Sequence, residues 1–157
     1  MATLHAGDKA PLFQATTADG TSWSMADHLG KPVVLYFYPR DETPGCTTQA
    51  CDVRDNWAVF ADLGAEVVGV SPDGEASHQA FRAHHGLPQT LLADPDHSVL
   101  RDYGAWGLRE KNGKQTEGVI RSSVVVGADG IILAVFSPIE PGEQSRLALG
   151  VLRSAPR

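Results

Sequence analysis

Six consecutive residues, Val33-Val34-Leu35-Tyr36-Phe37-Tyr38, are aliphatic or aromatic, with Gly30-Lys31-Pro32 before them and Pro39 after. The run does not alternate with polar residues. A strand with one wet face alternates, so an unbroken run of this length predicts a strand covered on both faces. Such a strand needs layers above and below it, which already calls for helices packed on a sheet. Glu66 to Ser71, EVVGVS, repeats the pattern and Thr90 to Ala93 is a shorter version.

Helical spacing lies between these runs. From about Cys46 to Leu63 the apolar residues Ala50, Val53, Trp57, Phe60 and Ala61 recur at helical intervals, and Gly64 is a stop signal. Glu75 to His85 ends at Gly86, His97 to Tyr103 ends at Gly104, and Gly142 to Leu152 is the last helical stretch. Phe13–Thr17 and Thr21–Trp23 flank Asp19-Gly20 and form an N-terminal β-hairpin; Ser24 is placed to cap a helical turn through His28. Ser122–Val126 and Ile131–Phe136 flank Gly127-Ala128-Asp129-Gly130 as a second hairpin. Arg109 to Lys114 reads as a solvated, mobile loop. The expectation is an α/β fold with a central mixed sheet flanked by helices, in a single domain over 1–157.

Lys plus Arg is 13 and Asp plus Glu is 19, a formal charge of −6, so the basic footprint of a nucleic-acid binder is missing. No run approaches the ~20 apolar residues of a membrane span, and the opening MATLHAGDKA lacks a secretory pattern. Neither nucleic acid nor membrane is expected as a partner, and a cytoplasmic location is.

The two cysteines, Cys46 and Cys51, are too few for a disulfide scaffold and match no paired zinc framework. They are inert core thiols, a local disulfide, or redox groups. Cys46 falls in the first turn of the helix after the buried strand. There the free backbone N–H groups and the helix dipole favour a thiolate. A small residue filling the helix start is the plainer reading. Five residues along a helix rise about 7.5 Å and turn about 140° past a full circle, placing the α-carbons ~8.6 Å apart. A disulfide needs about 7 Å or less, so Cys46 and Cys51 can join only if the intervening turn unwinds. Thr47 and Thr48 are weak helix formers within that turn.

The segment from Tyr36 through Pro39-Arg40-Asp41-Glu42-Thr43-Pro44-Gly45-Cys46 to Cys51 resembles the peroxiredoxin active site, in the subgroup called bacterioferritin comigratory protein or peroxiredoxin Q. The family pattern Pro-x-x-x-Thr-x-x-Cys is met by Pro39, Thr43 and Cys46. The similarity continues through 67–73, 91–107 and 118–132. The resemblance implies a thioredoxin-like fold and a thiol-dependent peroxidase acting on hydrogen peroxide and organic hydroperoxides. Cys46 would be the peroxidatic thiolate and Cys51 the resolving cysteine. Thr43 would hold the peroxide and thiolate, Arg121 would stabilise negative charge, and Pro39 would shield the sulfur. Thioredoxin or a similar thiol donor would recycle the disulfide, and no cofactor or metal is implied. A resolving cysteine in the same chain suggests a monomer or weak dimer. Taken singly, Pro39 is a strand stop, Thr43 a capping residue and Arg121 a solvated strand-start residue. Where the family often has Ser/Thr-Thr-Phe after the arginine, this chain has Ser122-Ser123-Val124.

Other chemistries fit less well. A general thiol–disulfide oxidoreductase wants Cys-x-x-Cys, and a cysteine hydrolase wants a histidine base in a recognisable motif. A redox sensor would oxidise once without turnover. His78 and His85, seven apart, share a face of a predicted helix and with His84 could suggest a metal patch, but no acidic or cysteine partner is evident and they read as a solvated face. Trp106 either lines the pocket or packs, and Trp57 reads as core.

Overall fold

The computed structural model describes residues 4–155. Its strands are β1 (Gln14–Thr17), β2 (Ser22–Ser24), β3 (Val33–Phe37), β4 (Glu66–Ser71), β5 (Thr90–Ala93), β6 (Trp106–Lys111), β7 (Lys114–Val119), β8 (Ser122–Val126) and β9 (Ile132–Phe136). The helices are α1 (Pro44–Asp55), α2 (Trp57–Asp62), α3 (Glu75–His85), α4 (Ser98–Asp102) and α5 (Gln144–Ser154). Seven strands form one sheet in the order β2-β1-β5-β4-β3-β8-β9, and β6 pairs with β7 in a separate ribbon. β3, β4 and β5 run parallel, while β8, β9, β1 and β2 pair antiparallel, so the sheet is mixed as expected.

The apolar run explains itself in β3. Val33, Leu35 and Phe37 point into one core with Trp23, Met25, Leu100 and Tyr103. Val34, Tyr36 and Tyr38 point into the other with Cys46, Ala50, Val53, Phe60, Phe81 and Leu149. Successive side chains alternate between faces, and both faces are dry, so every position must be apolar. The second core brings α1, α3 and α5 together on one side of the sheet. That is the side on which Cys46 sits.

Three local expectations are corrected. The stretch 46–63 is two helices, beginning at Pro44 and interrupted at Asn56 (φ −108°, ψ 12°), whose amide Nδ2 donates to Asp52 O at 2.8 Å and competes with the backbone ladder. A short 3₁₀ turn spans Met25–His28, but Ser24 makes no capping bond with its side chain. The supposed mobile loop 109–114 is the tip of the β6–β7 hairpin, in register from Trp106↔Val119 to Lys111↔Lys114. On the β7 side Lys114 to Glu117 are solvent-exposed on both faces and carry no apolar period. The available signal is Asn112-Gly113, both at positive φ (55° and 77°), the pair that two-residue hairpin turns favour. Among the described residues no helix is long and apolar enough to cross a membrane.

Candidate active site

Pro39 ends the central strand and turns the chain into the loop 39–43. Thr43 is extended (φ −76°, ψ 154°) and precedes Pro44 in the first turn of α1. Proline suits that position because its missing N–H would have no intrahelical partner there. Cys46 is the third residue of α1 and is 1% exposed. The first intrahelical bond, Thr47 N–H to Thr43 O at 2.8 Å, comes one residue later. The N–H groups of Gly45 and Cys46 therefore lie at the positive end of the helix.

Arg121, in the short link from β7 to β8, reaches this helix start from a distant part of the chain. Its Nη1 and Nη2 each lie 3.4 Å from Cys46 Sγ. Nη1 also donates to Gln49 Oε1 at 2.7 Å. Gln49 Nε2 donates to Gln144 Oε1 at 3.0 Å, and Gln144 Nε2 to Ser123 Oγ at 2.8 Å. Gln49, Gln144 and Ser123 are wholly buried. Buried amides are held where their partners are, because an unmet donor or acceptor costs about 1–3 kcal/mol. The relay thus aims the guanidinium at the sulfur. A Cβ on Gly45 would stand 2.9 Å from Arg121 Nη2, so the close approach requires glycine. Ser123, where the sequence departs from the family pattern, ends this relay, and Val124 is core packing.

A cleft of about 570 Å³ is lined by Pro39, Arg40, Thr43, Gly45, Arg109, Glu110 and Arg121, the last of which contacts the sulfur, while Cys46 itself lies behind the lining. Thr43 Oγ1 donates to Arg40 O at 2.8 Å, not to the sulfur. Its oxygen keeps acceptor capacity. The four residues Pro39, Thr43, Cys46 and Arg121 are brought together. Cys51 is half-buried on the same intact helix as Cys46, and both thiols are free.

The loop is fastened from beneath by a second network. Asp41 is buried, and its carboxylate accepts from Tyr38 OH (2.7 Å) and Ser77 Oγ (2.7 Å) and pairs with His78 Nδ1 (2.7 Å). His78 Nε2 faces Leu92 O at 2.9 Å. Each ring nitrogen of His78 thus faces an oxygen, Asp41 Oδ2 on one side and Leu92 O on the other. Asp41 N–H donates to Asp73 Oδ2 at 2.8 Å. Burial pushes the Tyr36 and Tyr38 hydroxyls far above the ordinary phenol range, which keeps them neutral; Tyr38 donates and Tyr36 accepts from Gln89. His78 is thus no part of a solvated face, and His84 and His85 do have an acidic partner, Glu42. Trp106 packs on His97 (centroids 3.9 Å apart) and does not line the cleft; Trp57 is only half-buried.

Sequence reasoning missed Gln49, although it lies three residues after Cys46 and so on the same helix face. Gln144 and Ser123 carry no local signal, being 95 residues from Gln49 and 21 from Gln144 respectively.

A buried thiol at a helix start, faced by a guanidinium, beside an open cleft and on a thioredoxin-like α/β scaffold, defines a thiol-dependent peroxidase. Residues 6–135 match the AhpC/TSA family. The chain is 47% identical over 145 residues to a putative peroxiredoxin of Mycobacterium tuberculosis, covering 92% of each chain. It is 37% identical over 151 residues to peroxiredoxin Bcp of Bacillus subtilis, covering 96% of each. Among solved structures it superposes on peroxidoxin BcpB of Mycobacterium tuberculosis with TM-score 0.87, 31% identity and coverage of 98% and 99%. It also superposes on the bacterioferritin comigratory protein of Xanthomonas campestris, studied for alkyl peroxide reduction, with TM-score 0.85, 29% identity and 90% coverage of each. The chain belongs to the AhpC/TSA family, in its Bcp, or peroxiredoxin Q, branch.

Proposed function

We propose that Cys46 is the peroxidatic residue of this peroxidase and Cys51 the resolving one. The observation that carries the assignment is the pair of 3.4 Å approaches from Arg121 to a buried sulfur at a helix start. An anionic sulfur is the form that gains from that charge. A hydroperoxide enters the cleft between Thr43 and Arg121, and its O–H donates to Thr43 Oγ1. The sulfur attacks the terminal oxygen, an S–O bond forms, and the O–O bond breaks. The leaving oxygen departs as an alcohol or water once it takes up a proton, and its developing charge faces Arg121. Pro39 walls the cleft and limits water. Cys46 is then a sulfenic acid.

Resolution needs α1 to open. In the intact helix the two α-carbons are ~8.6 Å apart by helix geometry, beyond disulfide reach. After the 46–51 turn unwinds, the Cys51 sulfur attacks Cys46, the disulfide forms and water leaves. A dithiol donor reduces the disulfide by exchange. Thioredoxin fits that role, and organic hydroperoxides fit the open cleft, as the activity studied in the Xanthomonas relative supports. With both cysteines in one helix, one chain of a single domain, 1–157, completes the cycle as a monomer or weak dimer. The reducing cytoplasm suits a resting state with free thiols.

The test is peroxide consumption with thioredoxin and its reductase, with intact-mass analysis. Cys46→Ser should abolish turnover. Cys51→Ser should consume one equivalent and stall as sulfenic acid or a higher oxide. Full turnover by Cys46→Ser refutes the assignment.

A further inference from the structure

Glu42 stands in the active-site loop immediately before Thr43, with its backbone in the left-handed region (φ 65°) that non-glycine residues seldom adopt. Its carboxylate faces two consecutive histidines at the end of α3. His84 Nδ1 lies 2.8 Å from Oε2 and His85 Nε2 lies 2.7 Å from Oε1. Neighbouring residues on a helix diverge by about 100°. Here their rings lie 4.1 Å apart and both aim at one carboxylate. The His85 ring is edge-packed on Phe81, and its carbonyl accepts from Arg54 Nη1 at 2.7 Å. The donor atoms of Glu42, His84 and His85 all lie within 4.8 Å of one another.

The geometry points to a binding site for a borderline divalent cation of the zinc class, formed by Glu42, His84 and His85, that tethers the peroxidatic loop to α3. Two imidazoles and a carboxylate are a donor set that zinc-class ions take, with a fourth position left for water. Bonds of about 2.0–2.1 Å in a tetrahedron put ligand atoms roughly 3.3 Å apart. The two hydrogen-bond spacings to Glu42 open by about half an ångström, and the two ring nitrogens, within 4.8 Å of each other, take up the same spacing by rotation of the exposed His84 ring. On binding, each coordinating ring nitrogen presents its lone pair and the ring proton moves to, or stays on, the other nitrogen. No redox step is involved.

The consequence for turnover rests on the reading that Cys51 resolves Cys46 by unwinding α1. Glu42 lies two residues before that helix. An ion holding Glu42 to α3 favours the closed form by the factor 1 + [L]/Kd if opening destroys the site, or about elevenfold at tenfold excess over Kd.

The experiment titrates zinc chloride into the reduced full-length protein by isothermal titration calorimetry. The expected result is saturable one-to-one binding. Affinity should fall about tenfold or more in His84→Ala, His85→Ala and Glu42→Gln, and be retained in Cys46→Ser. The His84 side chain is 65% exposed, so His84→Ala keeps the test decidable if His85→Ala is poorly folded. Absence of saturable binding, or wild-type affinity in His84→Ala or in Glu42→Gln, overturns the site. Loss of binding in Cys46→Ser does too, because it makes the thiol the ligand. Separately, one equivalent of hydrogen peroxide is added with and without zinc, and disulfide formation is followed by quenched intact mass. Slowing approaching elevenfold in wild type but not in His84→Ala supports the tether. No slowing, or equal slowing in both, overturns it. Calorimetry is independent of peroxidase activity, so a failed cation site and a failed peroxidase assignment give different results.

Discussion

Gln49→Met tests whether the buried amide relay, and not the helix start alone, sets the reactivity of Cys46. Methionine keeps the length and most of the volume of the side chain, so the second core stays filled. It removes the acceptor that Arg121 Nη1 meets at 2.7 Å and the donor that Gln144 Oε1 meets at 3.0 Å. A hydrogen bond to a charged group contributes about 1.5–3 kcal/mol. If all of that holds the guanidinium on the sulfur, the second-order rate with peroxide falls by about tenfold to roughly 100-fold, at 1.4 kcal/mol per factor of ten. Stability should drop as well, by about 1–3 kcal/mol, because the Gln144 carbonyl is left buried without a partner. Stopped-flow tryptophan fluorescence at limiting peroxide gives the rate, and urea unfolding gives the stability. The two must move together. A variant that loses stability yet reacts with peroxide at the wild-type rate refutes the relay, because Arg121 would then be held without Gln49.

Gly45→Ala should slow peroxide attack while leaving urea stability nearly intact, since its Cβ would stand 2.9 Å from Arg121 Nη2 and displace the flexible guanidinium; an unchanged rate means that the guanidinium is not needed where it stands. Asp41→Asn should destabilise the protein by about 1–3 kcal/mol, because one of the two buried oxygens that meet Tyr38 OH, Ser77 Oγ and His78 Nδ1 becomes an amide donor; an unchanged urea midpoint would show that this network is inessential to the loop. The hydrogen bond from His84 is the main cause holding the Glu42 carboxyl below its usual 4.5, so it should titrate lower in wild type than in His84→Ala by carboxyl NMR. The folded state is therefore favoured above the ordinary glutamate value, and that contribution is lost as pH falls through the depressed one. Coincident titration in the two proteins would remove the interaction.

The sheet and its order of elements were legible because they are written in short-range patterns. The unbroken run 33–38 demanded two dry faces, and β3 has them. Gly86 stops α3 in the left-handed conformation, as a glycine after a periodic stretch should. The placement of Cys46 and Cys51 on one helix was legible for the same reason, while the roles proposed for them rest on the resemblance of 36–51 to the family's motif. The β6–β7 hairpin was misread because Lys114 to Glu117 of β7 are wet on both faces and leave no hydrophobic period.

Long-range placement belongs to the tertiary structure. Apart from the family resemblance of 118–132, nothing in the residue pattern around Arg121 says that its two nitrogens will meet a sulfur 75 positions earlier. Only the antiparallel pairing of β8 with β3 carries that arginine to the head of α1. The same holds for His78, whose polar neighbours along the helix suggest solvent but which folding seals against Asp41 and Leu92 O. Hydrophobic period reports which face of an element is dry. It does not report which distant polar group will be waiting on that face, because that depends on how the sheet is ordered and where each loop returns.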